Sequence, residues 1–217
     1  MTGTINVTNV NNEYKLYDDN NALIGVQING EWVTDNYHTF DSVGEYVVKY
    51  ALRDETTIGY RTFKSCTGLT SVVIPDSVTS IGEEAFYGCY NLTGELIIPD
   101  SVTSIGTHAF IFCSGLTGEL IIPDSVTFIG DEVFYDCYGL TSVHIGSGCT
   151  SIGKYAFCRC SGLTGELIIP DSVTTIGNFA FNNCSGLTGE LVIPDTVTSI
   201  GSGVFNGCSG LTSIIVE

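Results

Sequence analysis

The sequence predicts a β-rich solenoid, a rod of short stacked coils with a small β region ahead of it, and three observations carry that expectation. Residues 58–215 repeat themselves every 23 or 24 positions. The run Ile-Pro-Asp-Ser-Val-Thr-Ser-Ile-Gly at 74–82 returns with small changes at 98–106, 122–130, 169–177 and 193–201, and in degraded form at 145–153. Cysteine keeps the same beat at Cys66, Cys89, Cys113, Cys137, Cys160, Cys184 and Cys208. A unit this short cannot bury its apolar face alone, so neighbours must stack and share one core. Folds of this kind offer an extended surface to a partner instead of a pocket for a reaction.

Composition narrows the partners. The 217 residues are 43% apolar, enough for a sizeable core drawn out as a rod. Seven Lys and Arg stand against 24 Asp and Glu, a formal charge of -17. Phosphates are repelled by such a charge, which argues against nucleic acid and an anionic membrane as partners. No positively charged start followed by an apolar stretch lies near Met1, and no apolar run approaches the roughly 20 residues that cross a bilayer. Membrane insertion is therefore not expected, and the chain reads as soluble.

Residues 1–45 read as an N-terminal β-hairpin or cap region, and 46–217 as the repeat array. Strand-like runs fall at 13–17, 23–28 and 46–50. Asn29-Gly30, between Val26-Gln27-Ile28 and Glu31-Trp32-Val33, signals a two-residue hairpin, because both central residues of that turn need positive φ. Placing Gly59 on Gly82 sets Tyr46 on Leu69 and Tyr50 on Val73, so 45–53 reads as a divergent first coil. The residues before it then cover the open end of the rod, whose apolar edges would otherwise template aggregation.

Within one coil each position has a task. Across 92–99, Leu96 and Ile98 alternate with Glu95 and Ile97, the period of two of a short strand with unlike faces. Pro99 lacks an amide donor and ends the strand, and Asp100-Ser101 suits the turn that follows. Val102 and Ile105 return inward, Gly106 allows a sharp bend, and Ala109, Phe110, Cys113 and Leu116 close the coil. Each coil thus sends about eight apolar side chains into the core. The expected architecture is a parallel sheet along one face, with short turns or helical segments opposite.

The run Leu-x-x-Leu-x-Ile-Pro-x-x-Val-x-x-Ile-Gly-x-x-Ala-Phe-x-x-Cys resembles the BspA-type leucine-rich repeat, in register with the Pro and Cys landmarks from about residue 58 onward. The resemblance implies a leucine-rich-repeat solenoid, curved and right-handed, with a parallel sheet on one side. It also implies a secreted or surface protein of bacteria or some protists, engaged in adhesion, in binding host matrix proteins or in co-aggregation. No catalytic residues come with the family, so none are carried over.

The cysteines read as packing. Seven hold one inward position where cysteine acts as a small buried hydrophobe, and Cys149 replaces the core valine seen as Val126 and Val173. An unbroken stack holds their side chains parallel, poor geometry for a disulfide. Cys158 stands apart, because its repeat equivalents Tyr87, Ile111, Tyr135 and Asn182 mark an outward or boundary position. Cys158-Arg159-Cys160 lacks the C-x-x-C spacing of zinc and redox sites, so no metal is expected. His38, His108 and His144 adjoin no nucleophile motif, and neither a catalytic residue nor a cofactor is expected. Gly146-Ser147-Gly148 replaces Pro-Asp-Ser and precedes no nucleotide-binding pattern, and the sequons at Asn6, Asn91 and Asn183 fit chance in an Asn- and Thr-rich chain.

Two outward ladders are the candidate partner-binding residues. Stacking aligns Val73, Ile97, Ile121, His144, Ile168, Val192 and Ile215 as an apolar stripe on the outer face, where solvated sheets normally carry Thr, Lys or Glu. Beside it run Glu95, Glu119, Glu166 and Glu190, and after each intact Pro come Asp76, Asp100, Asp124, Asp171 and Asp195. Like charges on strands about 4.8 Å apart repel. Solvent screening is the simpler relief, since no calcium-loop motif is present.

The function expected is a non-catalytic binding or adhesion protein, extracellular or on a cell surface, that recognises a protein or glycan, host-derived ligands included, through the sheet face and its acidic border. The alternative is a self-assembling module or virion decoration. Leu211, Ile214 and Val216 form one more strand with no covering segment after it, so the C-terminal end is expected to continue in a longer protein or to form a weak homodimer with a second copy.

Overall fold

The computed structural model describes residues 1–18 and 22–217. The repeats stack as a β-solenoid, but its continuous parallel sheet is not built from the Leu-x-Ile runs. Seven two-residue strands build it: Thr57–Ile58, Ser80–Ile81, Ser104–Ile105, Phe128–Ile129, Ser151–Ile152, Thr175–Ile176 and Ser199–Ile200. The isoleucine that ends each strand pairs with the one in the next coil without slippage, and all but Ile200 are buried. The cause is length. From each Ile-Pro to the following cysteine no coil gains or loses a residue, so this side can stay in register from end to end. A glycine after the strand lets the coils touch backbone to backbone, since a Cβ on Gly106 would lie 2.5 Å from the Glu83 nitrogen.

No helix forms among the described residues, so the helical option for the opposite side is set aside. The Ala-Phe side instead places two residues per coil at positive φ, such as Glu84 and Gly88, His108 and Phe112, or Glu132 and Asp136. Its amides alternate between partners. Ala85, Tyr87 and Cys89 donate to Gly82, Glu84 and Phe86 of their own coil, whereas Glu84, Phe86 and Gly88 donate to Thr107, Ala109 and Ile111 of the next. A helix needs an unbroken i to i−4 series, which this alternation denies. Left-handed backbone costs a non-glycine residue about 1–2 kcal/mol, and the bonds between coils offset it.

The core is a set of columns along the rod. Phe63, Phe86, Phe110, Phe134, Phe157, Phe181 and Phe205 stack with centroids 5.1 to 5.8 Å apart. The cysteines run beside them and do more than fill space. Cys89, Cys113, Cys137, Cys160, Cys184 and Cys208 each donate a thiol hydrogen to the phenylalanine carbonyl of the preceding coil, at 3.0 to 3.2 Å. That carbonyl already accepts an amide within its own coil, as Phe63 does from Cys66, so the thiol takes its second lone pair. All nine cysteines are free and buried. Cys158 departs from the outward placement expected of it, with Sγ 3.6 Å from Asn182 Oδ1.

The N-terminal residues add an antiparallel sheet in the order Glu31–Val33, Leu23–Ile28, Gly44–Leu52, Thr2–Val7, Leu69–Val73. Asn29 and Gly30 take φ of 52° and 88° and turn the hairpin between Ile28 and Glu31. The stretch 45–53 does not stack directly on the first repeat, because Thr2–Val7 lies between them, antiparallel to both. Ile5 faces Tyr46 on one side and Leu69 on the other, while a bulge between Thr4 and Ile5 puts Lys49, not Tyr50, across from Val73. Tyr50 turns inward and meets Phe63 edge-on at 4.8 Å, at the end of the phenylalanine column.

Candidate ligand-binding surface

The Leu-x-Ile face is a broken ladder. Gly118–Ile122 pairs with Leu140–Ile145 and Gly189–Ile193 with Leu211–Val216, all parallel. Residues 95–98 and 166–169 belong to no strand, and the runs holding them meet the next coil only at the single bridges Gly94 to Leu116 and Gly165 to Leu187. Coil length explains the breaks. Successive cysteines of the column are spaced 23, 24, 24, 23, 24 and 24 residues apart. The longer coils read Leu-Thr-Gly-Glu, and their extra glycine holds φ near +80°, from 78° at Gly165 to 82° at Gly118 and Gly189. Pairing survives where a long coil precedes a short one, because a bulge after Gly118 or Gly189 absorbs the additional residue.

The predicted stripe follows this pattern. Val73, Ile97, Ile121, His144, Ile168, Val192 and Ile215 all face solvent, with Ile121 in register with His144 and Val192 with Ile215. Exposure tracks pairing: Ile97 and Ile168, on unpaired runs, are 71% and 72% exposed, against 48% and 37% for Ile121 and Val192 on paired ones. The acidic ladder is exposed but does not oppose like charges. Glu119 faces Ser142, and Glu190 faces Ser213, whose hydroxyl lies 3.1 Å from a Glu190 carboxylate oxygen. Glu95 and Glu166 lie against Gly118 and Gly189 of the next coil. Offset by one residue, the carboxylates need no cation between them.

Where a short coil precedes a long one, the face opens into a cleft. The first, about 690 Å³, is lined by hydroxyls and amides that include Thr4, Asn6, Thr70, Ser71, Asn91 and Thr93. The second, about 510 Å³, gathers Glu119, Ser142, His144, Glu166, Ile168 and Pro170. It thus brings together four of the predicted partner-binding residues, Glu119, His144, Glu166 and Ile168, and leaves Val73, Glu95, Ile97, Ile121, Glu190 and Val192 outside it. Ser142 and Pro170, and the polar lining of the first cleft, escape a reading based on alternation alone. The order of 23- and 24-residue coils is the signal that marks them.

Two other sets of ionisable groups are met by the chain itself. Ser147 donates its amide to Asp124 at 2.6 Å, and its hydroxyl lies 3.0 Å from the same oxygen, bonds that hold the carboxylate below its ordinary range. The same contact explains the degraded turn, since a Cβ on Gly146 or Gly148 would strike the backbone of Asp124. Glu83, Glu84 and His108 offer ligand atoms within 4.8 Å of one another. Yet Glu84 already accepts two bonds from Arg61, at 2.7 and 3.2 Å, and an ion pair from Lys64. Those cations hold it at about 2, with the Arg61 hydrogen bond the largest cause. Among the described residues no helix is long and apolar enough to cross a membrane.

Comparison with known proteins agrees with this geometry. The pattern described as BspA type Leucine rich repeat region matches in six copies over residues 56–188 and 163–217. Among solved structures, a leucine rich cell surface protein from Faecalibacterium prausnitzii is 28% identical, with a TM-score of 0.50, covering 77% of this chain and 65% of that one. A leucine rich repeat protein of T. pallidum is 24% identical over 75% of this chain and 64% of its own, with a TM-score of 0.46. One from Bacteroides ovatus is 26% identical over 72% and 57%, with a TM-score of 0.44. The chain spans less than two thirds of the length of each of these structures. Among curated proteins no sequence matches it. With a repeating unit matched across most of its length and stacked as a solenoid, the chain belongs to the BspA type leucine rich repeat family.

Proposed function

We propose that this chain is a non-catalytic binding or adhesion module, secreted or displayed on a cell surface, that holds a protein or glycan through the broken Leu-x-Ile face. The observation that carries the reading is the pair Ile97 and Ile168. Each is an exposed apolar side chain on a run without strand pairing. Apolar surface beside unpaired backbone groups suits an added segment, which gains main-chain hydrogen bonds and side-chain burial together. The surface location of the similar F. prausnitzii protein supports the setting. The N-terminal antiparallel sheet serves as the cap of the rod, with Tyr50 closing the phenylalanine column. A second reading, self-assembly, draws on the same stripe, because an apolar row can lie against its copy.

The test is a screen of the intact chain against matrix proteins and glycans, in parallel with a variant carrying Ile97→Thr and Ile168→Thr. Support is a ligand that binds the parent at least tenfold more tightly while both proteins melt alike. A ligand retained in full by the variant would place recognition elsewhere. Sedimentation across a concentration series separates the second reading, which needs mass growth in the parent and its loss in the variant.

A further inference from the structure

A different corner of the coil carries a group of exposed aromatic side chains. The residue after each repeat cysteine is Tyr90, Ser114 and Tyr138 in three successive coils. Two tyrosines thus stand two coil steps apart, about 10 Å at the usual strand spacing, with a serine between them. Both residues are about half exposed, at 49% and 54%. Phe112 closes the space, its ring 6.5 Å from that of Tyr90, and the resulting slot of about 200 Å³ is lined by Tyr90, Phe112, Ser114, Asp136 and Tyr138. Phe112 holds a φ of 61°, where Ser65, Gly88, Asp136, Arg159, Asn183 and Gly207 occupy the equivalent position in other coils. Glycine, asparagine and aspartate tolerate that backbone; a bulky aromatic does so under strain.

We infer that this slot takes a cationic side chain, arginine or lysine, from a basic protein partner. A spacing of about 10 Å leaves each aromatic face within the reach of one cation held between them. Charge points the same way. No Lys or Arg occurs between Lys64 and Lys154, while ten Asp and Glu do, so acidic residues predominate in the coils that build the slot on a chain of net charge -17. One of the chain's own cations shows the preference at the edge of this aromatic belt. Lys64 lies over the Tyr87 ring at 4.6 Å, and Tyr87 abuts Phe112. Asp136 is already paired with Arg159 Nε at 3.1 Å, so the rings, not this carboxylate, are what the slot offers a cation. This inference names a surface apart from the Leu-x-Ile stripe and does not rest on it.

The experiment titrates the full chain with the blocked tripeptide Gly-Arg-Gly and with tetramethylammonium, read by NMR. The expected result is ring-current shifts of the probe and contacts to the Tyr90, Phe112 and Tyr138 ring protons. Binding should fall at least tenfold in Tyr138→Ala and in Ser114→Phe, which fills the slot, with unchanged melting. If Ser114→Phe fails to fold, Tyr90→Ala takes its place. Equal binding of the neutral isostere 3,3-dimethylbutanol, contacts from a neutral sugar in place of the cations, or full retention in the folded variants would each overturn the inference. So would loss of binding in Ile97→Thr with Tyr138→Ala silent.

Discussion

The Ser-Ile side and the Leu-x-Ile side of this rod come from the same coils, yet among the described residues one pairs seven strands without a break and the other pairs coil to coil in only two couples. The difference lies in where the coils vary in length. The Ser-Ile side never gains a residue, whereas two of every three coils on the other side add a glycine. Hydrophobic alternation is stronger on the side that fails to pair. Constancy of spacing, more than apolar content, therefore decides which face becomes a sheet, because parallel neighbours must agree in register along their whole length.

Hydrogen exchange should expose the contrast most strongly. The Gly106 amide, bonded to Ile81 at 2.8 Å, is expected to exchange at least about a thousandfold more slowly than the Ile97 amide, which lies in a run without strand pairing. Comparable rates would mean that the gaps close in solution. Side-chain replacement comes next. Phe134→Ala, inside the stacked column, should cost about 3–5 kcal/mol, whereas Ile97→Thr should stay within about 0.5 kcal/mol; denaturant melts of the two proteins decide. Equal losses would erase the distinction between the core side and the open face.

Alkali should act on the core alone. Burial pushes the Cys89 thiol from 9.0 up to about 12, so the folded state holds its proton after the unfolded chain has lost it. Stability from this group is complete below about pH 9 and declines as pH rises towards 12, at up to about 1.4 kcal/mol per pH unit. Cys89→Ala should flatten that slope in melts between pH 8 and 11, and an unchanged slope would remove the thiol as its source. The smallest effect is expected at the N-terminal sheet. The Tyr50 hydroxyl is buried without a hydrogen-bond partner among the described residues, and Tyr50→Phe should stabilise the protein by about 1 kcal/mol. A loss of stability would show that the hydroxyl finds a partner in solution.

Much of the fold was legible from the sequence for physical reasons that are local. Leu96, Ile98, Val102, Ile105, Ala109, Phe110 and Cys113 are all buried as their spacing requires, and Asn29-Gly30 forms its hairpin because few other pairs reach its φ values. The outward stripe also faces solvent as expected. What alternation could not show is pairing, since a strand's partner depends on the length of the coil beside it. Nor could it show the thiol donors of the cysteine column, because a weak donor and a small hydrophobe look alike until the Phe63 carbonyl is found 3.0 Å from Cys89. Cys158 misled for the opposite reason: Tyr87, Tyr135 and Asn182 at its equivalents are partly exposed, whereas Ile111 and Cys158 itself are buried there.

The spacing 23, 24, 24 closes on itself every 71 residues, from Cys66 to Cys137 and again to Cys208, and this sets a permitted increment of growth. Duplicating one coil would put two short coils together or three long ones, deleting one would join four long coils or leave a lone long one, and either would move every later break in the outer face. A three-coil block, about 14 Å of rod at the usual strand spacing, can be added or removed with each junction left as it was. Genetic change in multiples of that block alters how many open clefts the rod presents while leaving the shape of each untouched, so reach and valency can vary without refolding the units that supply them.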